Sequence, residues 1–368
     1  MIAAEPTAVF PTPLTAYPSV PGGGLLDILS ARIAFEPFNL VVTGIFVIAI
    51  LHTFAAARFM GLAHAVQHRY DHRARERGEL LRPSVAAEIL HFVGEVEVVF
   101  GLWAVVLLVT IAARHGWSTA THYVNDGVNY TEPLFVVVIM ALASTRPIIA
   151  LSEGALRRVA GLGGATPAAW WLAILTFGPL LGSFVTEPGA MTISALLLAR
   201  QFFDLQPSAR LKYATLGLLF VNVSIGGTLT HFAAPPVLMV ARSWGWDTPF
   251  MMGHFGWRAA LAIVAANAAY FAIFRREFTA LAKVPAAPDV ERADDDVNGA
   301  AGGPLTPLPA WVTVVHVLFM VWTVVNAHYP VMFLGGFLFF LGFARATAVY
   351  QSRVDLRAPL LVGFFLGG

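Results

Sequence analysis

The residues best suited to chemistry lie in a short polar segment between two apolar stretches, residues 168–185 and 190–203. This segment reads Thr186-Glu187-Pro188-Gly189. The hydroxyls of Ser183 and Thr192 flank it. Hard cations such as Na⁺ prefer oxygen ligands, which carboxylates and hydroxyls supply. Glu187 is therefore a candidate to coordinate a cation, or to exchange a proton for one.

A second polar interruption divides the apolar stretch 213–241. It contains Gly226-Gly227, then Thr228 and Thr230, and finally Pro235-Pro236. Glycine permits backbone torsions that break a helix, and proline removes a hydrogen-bond donor and prevents regular continuation. The two halves of a broken membrane helix expose carbonyl and N–H groups that can hold ions and substrates. The alternative is a merely kinked helix, but the density of polar, Gly and Pro residues favours a true break.

The composition places both segments in a membrane protein. Mean hydropathy is +0.70 and only 12% of the residues are charged, against about 25% in a soluble domain. A net charge of +1 leaves no basic excess for nucleic acid, and the absence of cysteine excludes disulfides and thiolate metal sites. Because no phosphate-binding loop, nucleophile elbow or HExxH motif occurs, we do not expect an enzyme. We predict an all-α polytopic membrane protein.

Seven apolar stretches approach the length of about 17 to 25 residues that a bilayer crossing requires. They cover residues 38–60, 85–113, 131–151, 213–241, 257–274, 310–327 and 329–347. The two apolar stretches on either side of Glu187, the first arm 168–185 and the second arm 190–203, are short for membrane spans. We therefore predict a re-entrant hairpin over 168–203 rather than two spans. Two short helices joined by an ordinary loop are the alternative. A carboxylate at membrane depth costs several kcal/mol unless it is paired, hydrated or protonated, whereas a tip at the interface would leave Glu187 solvated.

The basic residues predict the orientation. With residues 1–37 outside as a short lead-in, 19 of the 23 Lys and Arg residues fall on the cytoplasmic side. Residues 284–309 are rich in Pro, Gly and Asp and are predicted to form a cytoplasmic linker. The stretches before and after this linker enter the membrane from opposite sides, which is typical of an inverted repeat. We therefore predict one repeat over 38–283 and the start of a second over 310–368.

These two polar segments carry a resemblance to a known family. Glu187-Pro188-Gly189-Ala190 and Gly226-Gly227-Thr228-Leu229-Thr230-His231 resemble a bacterial sodium/proton antiporter family of the ion transporter superfamily. That superfamily includes NhaD-type antiporters, arsenite pumps and divalent-anion/sodium symporters. The resemblance implies that the hairpin tip and the helix break meet in one sodium site, with sodium as substrate or coupling ion and no other cofactor. Carried over by position, this site contains Thr186, Glu187, Gly226, Gly227, Thr228 and Thr230.

The chain departs from its relatives at two places. Dicarboxylate carriers have a Ser-Asn-Thr tip, whereas this chain reads Val185-Thr186-Glu187, and an acid in place of a neutral amide favours cation or proton exchange. Relatives also contain a second hairpin and a second broken helix, whereas this sequence ends at Gly368 inside an apolar run. We expect from this that the second repeat is truncated.

Other acidic residues are candidates for a proton path. If 85–113 is one helix, Glu88, His91 and Glu95 share a face and Glu97 points nearly opposite. Buried acids in transporters commonly carry protons, which makes Glu95 and Glu97 candidates. The alternative is an interfacial helix start capped by Ser84.

Three functions remain open from the sequence. The first is a secondary transporter that exchanges sodium, or another small cation, for protons across the bacterial inner membrane. The second is a sodium-coupled oxyanion or dicarboxylate carrier of the same fold, and the third is a membrane-integral structural or assembly protein. Glu187 distinguishes the first from the second, and the Gly-Gly-Thr…Pro-Pro break distinguishes both from the third. The expected partners are small cations, protons and lipids, with a homodimer left open.

Overall fold

The computed structural model describes residues 10–78, 80–234, 237, 240–241, 243–283, 306–351 and 353–368, without the side chain of Pro188. Its helices are α1 Leu25–Phe35, α2 Phe38–Glu76, α3 Val85–Gly94, α4 Val96–His115, α5 Trp117–His122, α6 Thr131–Ala143, α7 Arg146–Leu162, α8 Pro167–Val185, α9 Glu187–Gln201, α10 Ala209–Gly226, α11 Thr248–Met251, α12 Trp257–Leu281, α13 Ala310–Val325, α14 Pro330–Ala346 and α15 Arg357–Gly367. Short 3₁₀ or π turns cover Leu14–Ala16, Tyr123–Gly127, Phe203–Leu205, Gly227–Leu229, Met252–Gly256 and Ala348–Tyr350. These residues contain no β-strand.

The apolar helices confirm an all-α polytopic membrane protein. Within the part of the chain that the structure describes, four helical segments are long and apolar enough to cross a membrane: Phe38–Glu76, Val96–His115, Pro167–Val185 and Thr248–Leu281. A fifth is obtained if Trp117–Gly127 and Thr131–Ala143 form one span. The predicted spans 310–327 and 329–347 correspond to helices of only 16 and 17 residues. The first arm, α8, has 19 residues, so arm length no longer favours a re-entrant hairpin over two spans.

Three predicted spans are not continuous helices. The stretch 85–113 is divided at Glu95, whose extended backbone separates α3 from α4. The stretch 131–151 is divided after Ala143, and α7 begins at Arg146 with a proline in its first turn. The stretch 213–241 ends its α-helix at Gly226, as the predicted break requires. Pro235 and Pro236 of that break, and residues 284–305 of the predicted linker, lie outside the described residues.

The chain forms two compact units. One comprises Met1–Tyr130 with Leu361–Gly368, and the other comprises Thr131–Leu360. In the first unit, α2 packs on α3 and α4. The second unit contains both arms, the break and the largest core cluster. The predicted boundaries of the repeats stay a prediction.

Local sequence starts the helices around the site. Thr166 caps α8, since its hydroxyl accepts a hydrogen bond from the Ala169 N–H at 3.2 Å, and Pro167 occupies the first helical position. Ser208 caps α10 in the same way, with its hydroxyl 3.2 Å from the Leu211 N–H. Both helices then bury apolar side chains in the core of the second unit.

Small residues let these helices approach closely. A Cβ on Gly182 would lie 3.0 Å from the Cβ of Ala190, which brings α8 against α9. A Cβ on Gly226 would lie 2.5 Å from the carbonyl oxygen of Pro179, which brings the end of α10 against α8. Small residues at helix contacts are typical of membrane proteins, because close backbone approach increases van der Waals packing.

We expect Gly226→Ala to destabilise the protein by about 1–3 kcal/mol, because the added methyl group meets a backbone carbonyl that cannot move aside. Thermal unfolding of the detergent-solubilised protein, followed by tryptophan fluorescence, measures this. Gly217→Ala is the matched control on α10, since a Cβ there meets nothing within 4 Å. Equal melting temperatures for the two variants would contradict the close approach at Gly226.

Candidate functional site

The turn between the two arms has an unusual backbone. Thr186 joins α8 to α9 with φ 69° and ψ 156°, and it is only 3% exposed. A positive φ is rare for a β-branched residue and costs of the order of 1–3 kcal/mol. Such strain persists where the surrounding structure enforces it, commonly at functional sites. The strained backbone of Thr186 therefore makes the tip, residues 186–189, a candidate functional site.

Ser183 connects the tip to the helix break. Its hydroxyl donates to the carbonyl of Gly226 at 2.6 Å and accepts from the N–H of Leu229 at 3.1 Å. Its own carbonyl accepts from the hydroxyl of Thr230 at 2.8 Å. The first two bonds pair backbone groups that the end of α10 and the following 3₁₀ turn would otherwise leave unsatisfied, and the third pairs a carbonyl near the end of α8. One buried serine thus holds the break against the first arm.

Glu187 faces the broken helix. Its N–H donates to the carbonyl of Ala233 at 3.3 Å, and its carboxylate accepts from the hydroxyl of Ser224 at 3.3 Å. The side chain is half-buried. Ser224 stands two residues before Gly226, so the carboxylate lies beside the end of α10. Sequence reasoning did not single out Ser224, although its place in the polar interruption was a signal.

The remaining predicted ligands surround the same junction. Thr228 donates to the carbonyl of Ile225 at 2.7 Å, within the turn itself. Gly227 is buried, and a Cβ there would touch that of Ala234 at 3.4 Å. Their neighbour Thr230 is 2% exposed. Glu187, Gly226 and Thr230 take part in contacts between the first arm or tip and the break, whereas Thr228 bonds within its own turn and Gly227 packs on Ala234.

A cavity of about 150 Å³ opens beside the tip. Thr186, Gly189 and Thr192 line one side of it, and Asp355 lies on another. Glu187 is not among its lining residues, so adjacent tip residues face different surroundings. Sequence reasoning missed Asp355, for which the available signal was an acid placed just before an apolar run. Its carboxylate also accepts from the N–H of Arg357 at 2.8 Å, at the start of α15.

Buried amides tie the arms to neighbouring helices. The side-chain nitrogen of Asn222 donates to the Leu175 carbonyl and to Asn267 Oδ1, both at 2.9 Å. Asn267 on α12 donates in turn to the Thr176 hydroxyl at 2.8 Å. These bonds link α8, α10 and α12 immediately below the break. Buried polar groups require such partners, so the network supports the site, although Asn222 Oδ1 has no hydrogen-bond partner among the described residues.

The two proton-path candidates lie in the first unit. Glu95 stands between two helices, where its carboxylate is 3.3 Å from His91 Nδ1, and Glu97 is exposed. The prediction that Glu88, His91 and Glu95 share one face of a continuous helix is wrong at Glu95, because α3 ends at Gly94. Gly94 packs tightly on α2, since a Cβ there would lie 3.0 Å from the Cβ of Phe59.

The described residues contain no group of three or more His, Asp or Glu side chains that could hold a metal ion. The oxygen atoms at the contact between tip and break come instead from hydroxyl and carbonyl groups, with one carboxylate. Such a mixed oxygen set suits a weakly held monovalent cation better than a transition metal.

Comparison with known proteins agrees with the resemblance drawn from the two polar segments. A family model described as "Putative Na+/H+ antiporter" matches residues 37–368. No curated protein and no solved structure matches the chain significantly. Because the family match covers nearly the whole chain, the chain belongs to this Na⁺/H⁺ antiporter family and is a transporter rather than an enzyme.

Proposed function

We propose that this protein exchanges sodium, or another small cation, for protons across the bacterial inner membrane by alternating access around the contact between tip and break. The observation that carries the proposal is the position of Glu187. Its carboxylate lies against the end of α10, beside the polar groups of the break. An exchanger requires one group that binds either ligand, and a carboxylate at this place can bind a proton or a cation.

Competition at Glu187 explains how the two ligands can be coupled. Burial favours the protonated carboxyl group, and a bound cation favours the carboxylate. Glu187 with Thr186, and the backbone and hydroxyl groups of Gly226, Gly227, Thr228 and Thr230, would then form the cation site. Reconstitution tests this function: a sodium gradient imposed on proteoliposomes should drive proton movement in the opposite direction.

The sodium-coupled anion carrier is less well supported. An oxyanion or dicarboxylate bound at the tip would meet the carboxylate of Glu187, and like charges repel strongly where water is scarce. A purely structural hairpin does not explain why a strained threonine and an acid stand together at the tip. We therefore propose cation and proton exchange as the function.

The proposed orientation places the N-terminus outside the cell and residues 284–309 in the cytoplasm. The chain contains no cysteine, so single cysteines can be introduced without background. We expect Val290→Cys to be shielded from a membrane-impermeant maleimide in intact cells and to react after permeabilisation. Ser243→Cys, which follows the broken helix, should react in intact cells. Labelling of residue 290 from outside would reverse the proposed orientation.

A further inference from the structure

His316 is an ionisable residue on α13 with no exposed surface. This helix packs on α6, α7 and α14 within the second unit. Phe340 and Phe343 of α14 surround the imidazole, at ring-centroid distances of 5.2 and 5.6 Å. Burying an ionisable group in a membrane helix is costly, so such residues commonly have functional partners. The partners of His316 therefore decide what it can do.

Both ring nitrogens of His316 face oxygen atoms. Nδ1 lies 2.8 Å from the carbonyl oxygen of Val312, and Nε2 lies 2.9 Å from Oε1 of Gln351. A neutral imidazole has one N–H, whereas both nitrogens of an imidazolium donate. The Val312 carbonyl can only accept, so Nδ1 carries a proton. Nε2 can form a hydrogen bond with the amide oxygen of Gln351 only when Nε2 also carries a proton.

Thr347 sets the orientation of the Gln351 amide. The amide nitrogen donates to the Thr347 hydroxyl at 2.5 Å, and that hydroxyl donates to the carbonyl of Phe343 at 2.8 Å. Because the Thr347 hydroxyl donates its proton to the Phe343 carbonyl, it can only accept from the amide nitrogen of Gln351. The amide oxygen therefore faces His316. Release of the Nε2 proton therefore requires the Gln351 amide and the Thr347 hydroxyl to turn. The network has two arrangements, one for each protonation state of His316.

The two hydrogen-bond acceptors of His316 are neutral groups. The charged side chains on the helices packed against α13 are Glu132, Arg146, Glu153, Arg157, Arg158 and Arg345. His316 forms its hydrogen bonds with the Val312 carbonyl and the Gln351 amide, and its ring contacts are with phenyl rings. A carboxylate would stabilise the imidazolium strongly, whereas neutral acceptors allow the proton to leave.

Gln351 also belongs to a segment that reaches the cavity beside the tip. The carbonyl of the preceding residue, Tyr350, accepts from Arg146 Nη1 at 2.8 Å. Four residues after Gln351, Asp355 lines the cavity together with Thr186 and Thr192. Gln351 therefore lies close in sequence to Asp355, which forms part of the wall of this cavity.

We propose that His316 is a second proton-binding site, whose protonation state sets the orientation of the Gln351 amide. Proton binding pairs Nε2–H with the Gln351 oxygen, and proton release turns the amide. This proposal rests on the proposed cation and proton exchange, because a second exchanging proton has a role only in a proton-coupled cycle.

Nuclear magnetic resonance of the protein in lipid nanodiscs tests the proposal. With ¹⁵N-labelled histidine and glutamine, we expect the His316 nitrogens to change from a two-proton to a one-proton signature as the pH is raised. The Gln351 amide signals should move over the same pH interval. His316→Gln assigns the imidazole signals, and Gln351→Met should shift the transition because Nε2–H then loses its acceptor.

Two results would overturn this proposal. One is a single neutral tautomer of His316 throughout the pH range, and the other is a transition that Gln351→Met leaves unchanged. The main measurement uses the wild-type protein, so misfolding of a variant does not leave the question open. Failure of the proposed exchange itself would appear separately, as an absence of sodium-driven proton movement in wild-type proteoliposomes.

Discussion

Glu187→Gln is expected to abolish sodium-driven proton movement, down to the level of protein-free liposomes, while the protein still folds. The amide has nearly the same volume as the carboxylate and can still accept from the Ser224 hydroxyl. It cannot release a proton, however, and it brings no negative charge to a cation. The measurement is the pH inside proteoliposomes, followed with a fluorescent dye while external sodium is increased stepwise.

The wild-type protein should also show direct competition between the two ligands. If one proton and one cation share Glu187, lowering the pH by one unit raises the apparent KM for sodium by up to about tenfold once the carboxyl group is mostly protonated. Asp204→Asn removes an exposed acid of the same unit and should leave the rate unchanged. Exchange at wild-type rates in Glu187→Gln would instead move the proton role to Glu95 or Glu97.

Ser183→Ala is expected to impair transport strongly and to lower stability. The substitution leaves the buried Gly226 carbonyl and the half-buried Leu229 N–H without their side-chain partner, and an unpaired buried group costs about 1–3 kcal/mol. Because these groups shape the break, its geometry relative to the tip is lost before the rest of the unit unfolds. Proteoliposome exchange rates and thermal unfolding in detergent measure the two effects.

Ser194→Ala is the matched control for this variant. Ser194 lies on α9 and is as fully buried as Ser183, but its hydroxyl has no hydrogen-bond partner among the described residues. Its removal therefore leaves no group unsatisfied and should be neutral or slightly stabilising. Similar losses in both variants would show that any buried serine in the arms has this effect and that Ser183 has no special role.

Local sequence was sufficient for the first arm and for the position of the break, whereas α9 covers Glu187–Gln201 and begins three residues before the predicted second arm, 190–203. The predicted first arm, 168–185, differs by one residue from α8, because Thr166 and Pro167 form a helix start and the polar tip ends the apolar run. The α-helix 209–226 ends at the Gly-Gly pair, as the conformational freedom of glycine indicates. The family follows from the same two segments, and the family match confirms it.

Local sequence was less informative where apolar stretches are interrupted without a strong breaker. Residues 85–113 read as one helix, yet the chain turns at Glu95, where Gly94 packs closely on α2. Residues 131–151 also read as one span, although Pro147 was a signal that a new helix starts near Arg146. The apolar content of a stretch indicates that it is buried, but it does not show whether the stretch forms one uninterrupted helix.

The amino-acid sequence by itself determined that this is a polytopic helical transporter with an acid at one polar turn and a glycine break further along. Only the tertiary structure decided which groups meet there. Ser224 lies 37 residues from Glu187, and Asp355 is separated by more than 160 residues from the tip whose cavity it lines. These contacts depend on close helix approach, as at Gly226 and Pro179, and on the direction in which a short turn points each side chain. Helical periodicity describes a single helix, so it gives neither the distance between two helices nor the direction in which a turn points its side chains.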